Sequence, residues 1–129
     1  MASFTKRLAE TPSAIFGAGS SDEEIKLAES MLGLQFACDF RAYLSEFSLM
    51  AIDGKELTGL TKSERLNVVS VTKKNRIANK AVPADFYVVE EAGIDGIVIW
   101  QNSSGNVFMT APGIKPKLLA SSLGDYIFS

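Results

Sequence analysis

Five carboxylates and one indole are the residues of this chain whose types and placement could do chemistry or recognition. Glu90, Glu91 and Asp95 gather around one hairpin turn, while Asp53 and Glu56 border an earlier strand. Paired carboxylates supply a general acid and a general base when their surroundings separate their pKa values. On an open surface the same groups attract a cationic partner, and most often they are simply solvated turn charges. Trp100 lies in the run Ile97-Val98-Ile99-Trp100-Gln101. It can serve as an aromatic anchor for a partner, although an indole in a strand more often belongs to the core.

Other chemistry is poorly provided for. Histidine is absent and Cys38 is the only cysteine. The commonest general base near neutral pH is therefore missing, and so are Ser–His and Cys–His nucleophile pairs. Zinc and iron lack their preferred ligands, and the acidic residues do not follow calcium-loop spacing, so no metal and no cofactor are expected. Gly17-Ala18-Gly19 and Gly93-Ile94-Asp95-Gly96 have neither dinucleotide-loop nor P-loop spacing and read as turns. Cys38, beside a helix start but without a partner base, reads as an inert thiol, packed or half-exposed. Between Lys62 and Lys80 six cations stand against Glu64 alone. No aromatic residue is interleaved for base stacking, so this stretch reads as a solvated helix face rather than a nucleic-acid surface.

The elements that must position these groups follow from periodicity and caps. Ser21-Asp22-Glu23-Glu24 has the form of a capping box, and Ile25, Ala28 and Leu32 then recur at helical spacing until Gly33. A second helix carries Phe36, Phe40, Tyr43, Leu44 and Phe47 on one stripe, a packing face. Asp39 falls in its first turn, where the helix dipole favours negative charge. Ile52–Leu60 reads as an irregular strand with an Asp-Gly turn near its start. Val68–Val71 reads as a short β-branched strand, with Thr72 capping a short helix from Lys73 to about Asn79. Strands follow at Phe86–Glu90, Ile97–Gln101 and Asn106–Thr110, then a last short strand at Lys117–Ala120 and a terminal helix capped by Ser121. Helices first and an antiparallel meander after them predict an α+β domain.

A chain of 129 residues can bury a core without disulfides and is too short to divide comfortably in two. One domain over 1–129 is expected, with 1–20 a peripheral segment of one helical turn and a loop. The formal net charge of −2 gives no global pull toward nucleic acid or an anionic membrane. No apolar run reaches the roughly 18 residues of a membrane span or follows the pattern of a signal peptide. The cytoplasm is the expected compartment.

Several blocks, taken in order, resemble the SUKH superfamily, which contains bacterial toxin-immunity proteins and the Smi/Knr-type cell-wall regulators of yeast. They are Leu32–Ala37 with Asp39-Phe40-Arg41 and Tyr43-Leu44, Glu56–Leu60, Asn67–Val69, Pro83 with Tyr87–Glu90, Gly93–Gly96, Ser104–Phe108, and Ser122-Leu123 with Tyr126-Ile127. Ala37 stands where many members have proline, and Ser48 where a glycine commonly ends the second helix. The resemblance implies an antiparallel sheet flanked by helices. It also implies a non-enzymatic protein that neutralises a polymorphic or contact-delivered toxin, frequently a nuclease, by binding it. Asp53, Glu56, Glu90, Glu91 and Asp95, with Trp100 as anchor, are the candidate contact residues. An interaction scaffold like the yeast relatives, and a small enzyme using Glu90 or Asp95, are the alternatives. The cognate toxin and the oligomeric state are not legible.

Overall fold

The capping box at Ser21 sets the first long helix. Ser21 Oγ accepts the Glu24 amide at 3.2 Å while the Glu24 carboxylate accepts the Ser21 amide at 2.9 Å, satisfying two donors that a helix start leaves without partners. In the computed structural model, which describes residues 2–128, this helix (α2) spans Asp22–Leu32 and stops at Gly33 with φ 67°. It is preceded by α1 (Ala2–Ala9) and a short strand β1 (Ile15–Phe16), and followed by α3 (Cys38–Glu46). Phe40, Tyr43 and Leu44 of α3 are fully buried. Phe36, one residue short of the α3 cap, turns its ring edge to Phe40 at 5.0 Å and to Tyr87 at 4.8 Å.

The expected peripheral segment is part of the body of the domain. Leu8 of α1 is fully buried in the main core, and β1 pairs antiparallel with β2 (Met50–Ile52). The stretch expected as one irregular strand is a hairpin, β2 and β3 (Lys55–Leu57), closed by Asp53-Gly54. Both turn residues have positive φ, the geometry of a tight two-residue connection. Beyond β3, Thr58 donates its amide to Val89 O at 2.9 Å and its hydroxyl to Val88 O at 2.8 Å. These bonds join the three-stranded sheet β1-β2-β3 to the edge of a second one.

That second sheet has the order β4-β5-β6-β7, an antiparallel meander of Tyr87–Glu91, Val98–Gln101, Val107–Ala111 and Ile114–Ala120. The last strand is longer than expected because it runs through Pro116. The β-branched run Val68–Val71 is helical, the first turn of α4 (Val68–Ala78). Asn67 Oδ1 accepts the amides of Val69 and Ser70 at 3.0 and 3.3 Å, and Val68, Val69 and Val71 are buried. A cap and burial on one face outweigh a modest β propensity. α5 (Leu123–Ile127) closes the fold, capped by Ser122, whose Oγ accepts from Asp125 N, rather than by Ser121.

Both faces of the sheet are packed at β4 and β5. Tyr87, Val89, Ile99 and Val107 face the main core with α1, α2 and α3, while Val88 and Trp100 face α4 through Val71 and Phe86. A bulge between Val88 and Glu90 interrupts the alternation along β4. Val89 is the extra residue, so Glu90 pairs with Ile99 on the main-core side and Glu91 with Val98 on the α4 side.

Gly59 is fixed by close approach. A Cβ on Gly59 would lie 1.5 Å from the Ser48 carbonyl oxygen. Ser48 itself has φ 61°, so its departure from glycine places an ordinary side chain in left-handed backbone. Its hydroxyl meets that of Ser20.

Candidate functional site

Two of the predicted carboxylates come together in one surface network. Arg65, in a short 3-10 turn over Glu64–Leu66, donates to Glu56 Oε1 at 3.0 Å and Oε2 at 3.3 Å. The bidentate bond, and then the guanidinium charge, hold the Glu56 carboxyl below its ordinary range. The same bond raises Arg65, and the charge of Glu91 adds to it. Glu91 in turn accepts from Lys74 at 3.0 Å and from Asn75 Nδ2 at 3.0 Å. The surface sequence is therefore Glu56, Arg65, Glu91, Lys74, with signs alternating. Most of it is open to solvent, and such pairs contribute little to stability.

Asp53 and Asp95 differ from this pair. Each is exposed at a hairpin tip, with φ 47° and 53°, and among the described residues neither forms an ion pair. Asp tolerates left-handed backbone because its short carboxylate bonds locally or to water. β3 meets β4 at Thr58 and Val88–Val89, and Arg65, bonded to Glu56, is near enough to Glu91 to feel its charge. The two strands therefore run in opposite directions, and the Asp53 and Asp95 turns extend past the same end. Glu56, Glu91, Asp53 and Asp95 form one acidic-tipped end of the domain.

Glu90 and Trp100 do not join it. The bulge swings Glu90 onto the core side, where it is 6% exposed and accepts the Tyr126 hydroxyl at 2.5 Å. Lys55 Nζ sits 5.4 Å from the centre of the Tyr126 ring. Burial first, and the Glu90 bond second, push the Tyr126 phenol above its ordinary range. Trp100 is completely buried, with Nε1 donating to Thr110 Oγ1 at 2.8 Å. Neither side chain presents a surface to a partner in this fold, because one is a buried acceptor and the other a core ring with its polar atom satisfied. Glu90 and Asp95, the candidate acid–base residues, are likewise parted, one on the core side and one at an exposed tip.

Asp39 is the polar residue whose role the sequence hid. It is buried, and its two oxygens accept from Gln101 Nε2 at 2.9 Å and from the Leu123 amide at 2.8 Å. Gln101 Oε1 accepts the Tyr87 hydroxyl at 2.7 Å, and Tyr87 Oη accepts the Ala37 amide at 2.9 Å. The chain of bonds ties the start of α3 to β4, β5 and α5. A first-turn Asp signals only the helix dipole, and its partners lie 62 and 84 positions away.

The basic stretch is partly spent on the fold. Arg65 and Lys74 are paired as above, and Arg76 donates to the carbonyls of Ala84 and Phe86. Cys38 is an exposed free thiol. Among the described residues no group of three or more His, Cys, Asp or Glu is placed to hold a metal ion. A groove of about 950 Å³ between α2 and α3 has the Glu29–Arg41 ion pair in its wall at 2.9 Å. Glu29 also accepts the Phe36 amide, so its carboxylate is already committed. None of the described helices is long and apolar enough to cross a membrane.

The family model described as SUKH_5, SMI1-KNR4 cell-wall, matches residues 1–127. No curated protein matches the chain.

Proposed function

The chain belongs to the SMI1-KNR4 (SUKH) family, and from that premise we propose that it is an immunity protein. It binds and neutralises a polymorphic or contact-delivered bacterial toxin, most readily a nuclease, in the cytoplasm, and it does so without chemistry of its own. The observation that carries this reading is the acidic-tipped end. Asp53 and Asp95 are exposed at hairpin turns beside Glu56 and Glu91. A nuclease concentrates cationic groups where its substrate phosphates bind, so carboxylates at exposed turns steer association and cover that cleft. The Glu56–Arg65 and Glu91–Lys74 pairs behind the tips supply alternating charge that favours one docking register over others.

Co-expression with the toxin encoded beside its gene tests the reading. The wild-type chain restores growth and co-purifies with the toxin, and Asp53→Lys with Asp95→Lys loses both effects while melting at the same temperature. No complex and no rescue by the wild-type chain refutes it for that toxin. The cell-wall description of the family model favours a second reading, a protein-interaction scaffold or regulator. Affinity capture that repeatedly returns host proteins and no toxin decides for that alternative.

A further inference from the structure

We propose that Tyr126 is a positioning residue for the acidic-tipped end, clasping the Asp53 hairpin to the strand that leads to Asp95. Strand register brings its two partners to one face. Lys55 pairs with Ile52 and Leu57 with Met50. Ile52, Met50 and Leu57 are buried in the main core, so Lys55 lies on the core side of β3, at its rim. Glu90 faces the same core because of the Val89 bulge. α5 lays Tyr126 across both: its hydroxyl donates to Glu90 Oε1 at 2.5 Å, and Lys55 Nζ stands 5.4 Å from the centre of its ring. The two contacts reinforce each other. A phenol that donates to a carboxylate gains electron density in its ring, and a richer ring holds a cation more strongly.

The other links between the two hairpins leave this role open. Among the described residues no ladder pairs β3 with β4, and the Thr58–Val89 bond is the backbone link between them nearest the tips. Lys55 follows the Asp53-Gly54 turn directly, so its contact with Tyr126 acts beyond that link. On the outer face Arg65 bonds Glu56, but their side chains are 65% and 51% exposed, and such a pair holds weakly. Tyr126 is half-buried and Glu90 buried, where water competes less for the bond. Two carboxylate-tipped turns held at one separation match one pattern of cations on a partner, and turns that must first be ordered lose affinity. That consequence rests on the toxin reading; the clasp itself does not.

Residual dipolar couplings of the labelled protein test the clasp without a toxin. The amides of residues 52–57 and 90–97 should fit one alignment tensor in the wild type and in Glu90→Gln, whose amide oxygen still accepts the hydroxyl. In Tyr126→Leu the two hairpins should need separate tensors, or one should lose order, while α2 and α3 stay as they were. Tyr126→Phe, which keeps the ring in place, should loosen them in the same direction and to a smaller extent. The Lys55 methylene protons should lie upfield under the ring in the wild type and return to ordinary shifts in Tyr126→Leu. A single tensor with undiminished order in both tyrosine variants, or no upfield shift in the wild type, overturns the proposal. Toxin binding separates the two readings. Where the wild type binds, Tyr126→Leu should weaken the complex about tenfold and Glu90→Gln less than about twofold, and equal weakening by both overturns the positioning role. Hairpins that part in Tyr126→Leu, in a protein whose wild type binds no toxin, support the clasp and refute the toxin reading.

Discussion

Removing one hydroxyl, in Tyr87→Phe, should break the bond chain that joins α3 to the four-stranded sheet. Tyr87 Oη accepts the Ala37 amide at 2.9 Å and donates to Gln101 Oε1 at 2.7 Å. Tyr87 and Gln101 are fully buried and Ala37 is 3% exposed, so water cannot replace the lost partner. Each buried group left without one costs about 1–3 kcal/mol, so two such groups give about 2–6 kcal/mol. At a urea dependence of about 2 kcal/mol per molar, the unfolding midpoint should fall by about 1–3 M with unchanged slope. Ala37→Pro tests the geometry. Ala37 has φ −65°, which proline adopts, but the ring Cδ would replace the hydrogen aimed at the Tyr87 hydroxyl. Alone, the proline should clash and destabilise. Combined with Tyr87→Phe it meets no hydroxyl and removes the orphaned donor. The two changes should therefore couple favourably, by about 1–3 kcal/mol. Additivity within about 0.5 kcal/mol refutes the reasoning, as does a Tyr87→Phe variant as stable as the wild type.

Three further outcomes follow from named contacts. Gly59→Ala should cost more than about 4 kcal/mol or prevent folding, since backbone blocks the new methyl, whereas Gly33→Ala, strained only by φ 67° with open space around it, should cost about 1–2 kcal/mol in the same urea assay. The Glu56 carboxyl, held low by Arg65, favours the fold above the ordinary carboxylate range and loses that contribution as pH falls through its depressed value; an NMR titration should place it below a solvated glutamate, and Arg65→Gln should return it upward. All three tyrosines of the chain have raised phenol values, with burial the first cause of each; stability should be unaffected below about pH 10 and fall above it as unfolded tyrosines ionise, and phenolate absorbance should appear only together with unfolding.

What the sequence disclosed was local. The capping box at Ser21, the left-handed stop at Gly33, the aromatic stripe of α3 and the meander all lie within a few residues of their own causes. Val68–Val71 misled because β-branched residues favour strands, while Asn67 and the core on one side favour a helix. The fate of Glu90 turned on the Val89 bulge, which strict alternation cannot reveal and which moves a carboxylate from the α4 side of the sheet to a tyrosine on the core side. Trp100 followed the commoner destiny of an indole in a central strand. Asp53 and Asp95 kept their predicted exposure because positive-φ turns tie them to hairpin tips. Their common location was hidden, since it depends on Thr58 meeting Val88 and Val89 across the two sheets.

An immunity protein of the proposed kind acts by occupying its partner's surface. Titrating the activity of the purified cognate toxin with increasing amounts of the protein distinguishes that mode from any other. Occlusion predicts a linear loss of activity that is complete at equimolar protein and disappears in the Asp53→Lys, Asp95→Lys variant. Complete inactivation by a small fraction of an equivalent, or undiminished toxin activity in excess protein, contradicts it.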